Sequence, residues 1–230
     1  MDKIFYCGTC RYQYIFKNNF APRLHTTREI LNFLEKYINK TINFENNIEF
    51  GDCRHPSIIN DANNFIINDS LFKYDTFVIE ISSKKLAYSK NIDDKTPYNY
   101  FYICENLNNY NLDHYNIITL TDYEIIEDIK RIKNILQNHF NIKKLIIIPH
   151  INLKLRDSNL LIEERNNLYN LLININYIDY IDNLYIINLS KYLENYYLED
   201  ILPDYYHYKS DDIKDLIYKY IENYIKNNII

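Results

Sequence analysis

Glycine is almost absent from this chain: two residues in 230, alongside one methionine and no tryptophan. A chain so poor in glycine keeps one where the backbone geometry demands it, which gives Gly8 and Gly51 unusual weight. Also missing is any run approaching the roughly 18 consecutive apolar residues of a membrane span, or an N-terminal leader ending at a small-residue cleavage site. These absences lead us to expect a cytoplasmic protein without a membrane partner, in host cytoplasm or virion if the source is viral. A net charge of -5 leaves no broad basic face, which argues against nucleic acid as a partner. Four cysteines in a chain of this length make no disulfide framework, so they read as thiols, ligands or catalysts. No internal repeat is evident, and the length suits one domain over 1–230.

Present instead are isoleucine, asparagine, lysine and tyrosine, with 25 Tyr. Short runs rich in β-branched and aromatic residues recur at "KIFYC", "NIEF", "DTFVIEIS", "KKLIIIPH" and "NLYIINLS". Between them, "TTREILNFLEKYI", "HPSIINDANNFI", "LTDYEIIEDIKRIKNILQNHF", "LLIEERNNLYNLL" and "SDDIKDLIYKYIENYI" have helical spacing. Start signals precede several: Thr26 with Glu29, Thr121 before an acidic turn, and Ser210 before Asp211 and Asp212. Alternating strands and helices predict an α/β domain with a mainly parallel five-stranded sheet covered on both faces. An Asn/Tyr-rich stretch around 88–118 reads as an irregular insertion.

In such sheets ligands bind beyond the carboxyl ends of the strands. The residues there are Gly8-Thr9-Cys10-Arg11, Gly51-Asp52-Cys53-Arg54-His55, Ser82-Ser83-Lys84-Lys85, Pro149-His150-Ile151-Asn152 and, after an irregular segment, Pro203-Asp204-Tyr205-Tyr206-His207. Taken in order, this set resembles the SGNH, or GDSL-like, hydrolase superfamily. Gly8-Thr9-Cys10 stands where the family has its G-D-S nucleophile turn, and Gly51 where it has an oxyanion-hole glycine. "DTFVIEISSKK" aligns with D-x-V-V-I-x-x-G-x-N-D, with Ser82 and Lys84 replacing the glycine and asparagine. Asp204 and His207 match D-x-x-H ahead of the last helix. "GTCR" is similar to the openings of divergent branches with cysteine as nucleophile, the GSCFA-type and capsular-polysaccharide acyltransferase-like families. "APRLHTTREI" resembles uncharacterised proteins of large DNA viruses of protists.

The resemblance implies a flavodoxin-like three-layer α/β/α sandwich of SGNH-hydrolase type. It also implies an esterase or deacylase acting on acyl esters of a carbohydrate or similar polar small molecule through Cys10, His207 and Asp204. A free thiol near pKa 8.5 is mostly protonated at neutral pH, so His207, a helix start at Cys10 and Arg11 are the expected activators. Backbone N–H groups of Cys10 and Gly51, with Ser82 and Lys84, are the expected oxyanion donors. Arg11, Arg23, His25, Arg54, His55, His150 and Asn152 are candidates for binding substrate.

Other readings stay open. An acyltransferase would take its acyl group from coenzyme A, with Arg11, Arg23 and Arg54 as a basic rim. A non-catalytic binding protein would retain the fold alone. Cys7 and Cys10 form a C-x-x-C spacing, although Cys7 should end the strand and point away from the turn. Cys10, Cys53, His55 and His207 contain suitable zinc ligands without the paired spacing of a strong site.

Overall fold

The computed structural model describes residues 4–8, 10–12, 24–39, 71–89, 100–102, 115–204 and 207–228, with Cys10 described by its backbone. Strand β1 (Ile4–Cys7) leads through Gly8 into a 3-10 turn, Cys10–Tyr12. Helix α1 (Thr27–Asn39) follows, then strand β2 (Thr76–Ile81). Strands β3 (Lys85–Ser89), β4 (Tyr100–Tyr102) and β5 (Tyr115–Thr119) precede helix α2 (Asp122–Phe140). Beyond it come β6 (Lys144–Pro149), α3 (Glu163–Ile173), β7 (Leu184–Ile186) and the last helix, α4 (Asp211–Asn228). Short helical turns at Leu189–Tyr192 and Leu198–Ile201 lie between β7 and α4.

The described strands β1, β2, β6 and β7 form a sheet in that order, every neighbouring pair parallel. Every residue of β2 is buried, as a strand covered on both faces requires. Because alternate side chains point to opposite faces, each strand feeds two cores. Phe5, Cys7, Phe77, Ile79, Leu145 and Ile147 pack with apolar residues of α1, α2 and α3. Ile4, Tyr6, Val78, Ile146 and Ile148 pack on the other face with Leu189, Leu198 and the Ile217, Ile221, Ile225 stripe of α4. The chain is therefore an α/β protein with helices on both faces of a parallel sheet.

The expected strand "NIEF", at 47–50, and the helix at "HPSIINDANNFI" lie outside the described residues; the parallel sheet described has four strands. The 88–118 stretch, read as an irregular insertion, is described at 88–89, 100–102 and 115–118. Its described parts pair antiparallel in a second, three-stranded sheet of order β4-β3-β5. Its alternation is obscured by tyrosine, which suits a strand face turned either way.

Local signals hold where they were read. Thr121 and Glu124 form a reciprocal capping box, with the Thr121 N–H donating to Glu124 Oε2 at 2.8 Å. At α1, the Thr26 and His25 N–H groups donate to Glu29 Oε2 at 2.9 and 3.0 Å, and Glu29 N–H returns a bond to Thr26 Oγ1. The two helices are joined by Arg28 and Thr27, both of which donate to the buried Asp128 carboxylate.

Gly8 has φ +156°, a conformation that L side chains rarely adopt. A Cβ there would lie 2.5 Å from the Tyr6 hydroxyl and 2.7 Å from Glu80 Cβ. Both strain and collision therefore oppose any side chain. Gly8→Ala is expected to lower the unfolding free energy by about 2 kcal/mol or more, read as a fall in the urea midpoint.

Candidate functional site

The register pairs Cys7 with Ile79 and Ile81 with Pro149, so β1, β2 and β6 end side by side. The segments leaving them, the Gly8–Tyr12 turn, Ser82–Lys84 and His150–Asn152, thus gather at one edge of the sheet. Polar side chains sink from this edge into the α4 face.

Glu80, fully buried on β2, points to the face shared by Tyr6 and Val78. A carboxylate in that position needs compensation. Arg11 supplies it: Nε donates to Glu80 Oε1 at 3.1 Å, and Nη2 forms an ion pair with the same oxygen. The Tyr6 hydroxyl donates to Glu80 Oε2 at 3.2 Å. Arg11 Nη1 also lies 3.0 Å from His150 Nε2. A guanidinium only donates, so this imidazole nitrogen accepts; the ring proton belongs on Nδ1, 3.3 Å from the Ser82 carbonyl oxygen. Burial, then the charges of Arg11 and Arg165, hold His150 well below the usual histidine pKa. His150 is a neutral acceptor in this network.

Arg11 was expected to meet substrate. The fold instead buries it, and its charge is favoured by Glu80 despite the desolvation that opposes it. Lys84, expected at the oxyanion hole, forms an ion pair with Asp122 in the first turn of α2. Ser82 has its hydroxyl 3.0 Å from His25 Nδ1, and the N–H groups of Ser82 and Ser83 both donate to the His25 carbonyl, at 2.9 and 3.1 Å. His25 and Ser82 are thus brought together as a half-buried pair at the edge. Asn152 turns toward α3: its Nδ2 donates to Asn166 Oδ1 at 3.2 Å, and its backbone N–H to Ser190 Oγ at 2.8 Å. Arg23, Gly51, Cys53, Arg54 and His55 lie outside the described residues.

Asp204 and His207 form the pair that their spacing suggests. His207 Nδ1 is 2.7 Å from Asp204 Oδ2, and the His207 N–H donates to Asp204 Oδ1 at 2.7 Å. The His207 side chain is 70% exposed. The next residue, Tyr208, meets the Cys10–Tyr12 turn: the rings of Tyr12 and Tyr208 lie 6.3 Å apart, edge to face. From α4, the Tyr218 hydroxyl donates to the Arg11 carbonyl at 3.2 Å. These two contacts fix Tyr208 and α4 against the Cys10–Tyr12 turn. Burial keeps both Tyr12 and Tyr208 protonated, with pKa values above the ordinary phenol.

Cys7 is fully buried on the α1 face of β1, as a strand-terminal residue directed away from the turn would be. Among the described residues, no three or more His, Cys, Asp or Glu side chains stand together as a metal site. Nor is any described helix long and apolar enough to cross a membrane. Glu80, Tyr6 and Tyr208 were not anticipated. For Glu80 a signal existed: one acid inside the apolar run "TFVIEI" must be buried, and a buried acid needs a cation. The site belongs to an α/β protein with a polar network at the carboxyl edge of a parallel sheet. Comparison with known proteins found no match among protein-family models, curated proteins or solved structures.

His150 gives the site a pH signature. Its folded pKa lies below the ordinary value near 6.5, so as pH falls below about 6.5 the unfolded chain takes up a proton that the folded state refuses. Stability is fully present above that pH and is lost on acidification, by up to about 1.4 kcal/mol per pH unit. Urea midpoints measured from pH 7.5 to 5.5 should fall, and His150→Gln should flatten the slope.

Proposed function

We propose that the protein is a cysteine-dependent acyl-transfer enzyme of SGNH type, hydrolysing acyl esters of a carbohydrate or similar polar alcohol. The observation that carries this reading is the Asp204–His207 pair, 2.7 Å from carboxylate to ring nitrogen, with its neighbour Tyr208 packed on the turn begun by Cys10. Asp204 holds the Nδ1 proton of His207, which leaves Nε2 to take a proton from the thiol, the arrangement that a catalytic triad needs. The Cys10 thiolate adds to the ester carbonyl; the alcohol leaves with the proton from His207, and a thioester remains on the enzyme. Water, deprotonated by His207, then attacks the thioester, releasing the carboxylic acid and restoring the thiol.

Oxyanion stabilisation in this scheme rests on the backbone N–H groups of Cys10 and Gly51. Lys84 is held by Asp122, and Ser82 and Ser83 commit their N–H groups to His25. The His25–Ser82 pair at the edge remains the candidate for contacting the substrate's polar alcohol portion.

Iodoacetamide, with the labelled peptide identified by mass spectrometry, tests the nucleophile. Cys10 should react at pH 7 on the order of tenfold faster in the native protein than after His207→Ala, since the imidazole raises the thiolate fraction. Asp204→Asn should fall between the two. Hydrolysis of aryl acetate and acetylated-sugar esters should disappear in Cys10→Ala. A Cys10 that labels at the rate of an ordinary surface thiol, unaffected by His207→Ala, would leave a binding protein on the same fold as the better reading.

A further inference from the structure

We infer that Ser82 is a second nucleophile at the carboxyl edge, activated by His25: a serine hydroxyl that accepts an acyl group while its proton passes to the imidazole. The Ser82 hydroxyl oxygen lies 3.0 Å from His25 Nδ1, the contact that an activated serine makes with its base. With Nδ1 as the acceptor, the neutral ring carries its proton on Nε2. Ser82 follows β2, the strand flanked by β1 and β6, at the edge where parallel sheets present reacting groups. Both residues are half-buried, which leaves the pair partly accessible from solvent.

The backbone on each side of the pair is fixed without help from the hydroxyl. The N–H groups of Ser82 and Ser83 donate to the His25 carbonyl at 2.9 and 3.1 Å, and the His25 N–H donates to Glu29 Oε2 at 3.0 Å, which ties it to the start of α1. From the end of β6, the His150 N–H donates to the Ile81 carbonyl at 3.2 Å, and His150 Nδ1 lies 3.3 Å from the Ser82 carbonyl oxygen. Segments so joined through their backbones do not need a bond between the Ser82 and His25 side chains to hold them together. What that bond adds is a hydroxyl proton directed at a basic nitrogen, in a geometry set in advance. In the step this permits, Ser82 Oγ bonds to the carbonyl carbon of an ester and the bond to the alcohol oxygen breaks. The serine proton passes through His25 to the departing alcohol, and an acyl-serine remains. Cys10, Asp204 and His207 take no part in this step, so it stands apart from the thiol chemistry.

The test is labelling of the folded, full-length protein with an alkyl fluorophosphonate, the modified peptide being identified by mass spectrometry. Ser82 Oγ displaces fluoride from phosphorus, and the serine proton goes to His25. Ser82 should be labelled in preference to its neighbour Ser83, and Ser82→Ala should remove the label. His25→Asn places an amide where Nδ1 stood, able to hydrogen-bond but not to take a proton. It should slow labelling by about a hundredfold, a loss that a purely structural bond would not produce. Folding of that variant is read from its urea midpoint. If His25→Asn does not fold, the native protein compared with its urea-unfolded form reads the same activation, and Ser82 should label only when folded. An unlabelled Ser82, or equal labelling in folded His25→Asn or in urea, would overturn the inference. Iodoacetamide labelling of Cys10 reports separately on the thiol, so failure at either residue leaves the other standing.

Discussion

A carboxylate buried on the face of a parallel sheet is costly unless a cation or several hydrogen-bond donors are buried with it. The Glu80–Arg11 pair meets that demand, and much of the carboxyl edge is arranged around it. Removing water from two charges is expensive, and replacing such a pair with apolar residues often leaves a protein no less stable. The pair is thus better understood as specification of geometry than as a source of stability. It directs one loop, the bend after β1, toward one strand, and it supplies His150 and Tyr6 with defined partners. Breaking one side is another matter, since it leaves a buried charge uncompensated.

The order of elements was legible because each speaks locally. Buried parallel strands appear as short, mostly apolar runs, and β1, β2, β6 and β7 all do, β2 with Glu80 inside it. Thr26 with Glu29 and Thr121 with Glu124 act within four residues, so their caps could be read without knowing the fold. Strands β3, β4 and β5 could not. Their pairing is decided by partners far along the chain, Leu86 with Ile118 and with Tyr102, and nothing in an Asn/Tyr-rich sequence announces that register.

The site divides along the same line. Asp204 and His207 are three apart, and a single turn brings them into contact. Arg11 and Lys84 look alike in the sequence, as cations just past strand ends, yet each is captured by an acid from a different element: Glu80 on β2 and Asp122 on α2. Whether a basic residue at the edge faces a ligand or an internal acid depends on contacts across 69 and 38 residues, respectively. Glu80 was the informative exception, being conspicuous for its polarity and silent about its partner.

The scarcity of glycine has one more effect. Asn141, Asn159 and Asn183 adopt left-handed backbone conformations, with φ of 57°, 56° and 54°, where many chains would place glycine. Asparagine in a turn is chemically perishable, because the following backbone nitrogen can attack its amide to form a succinimide, most readily when glycine follows. Here the followers are Ile142, Leu160 and Leu184, whose bulk obstructs that attack. The substitution that spares the chain glycine thereby makes these turns slow to age.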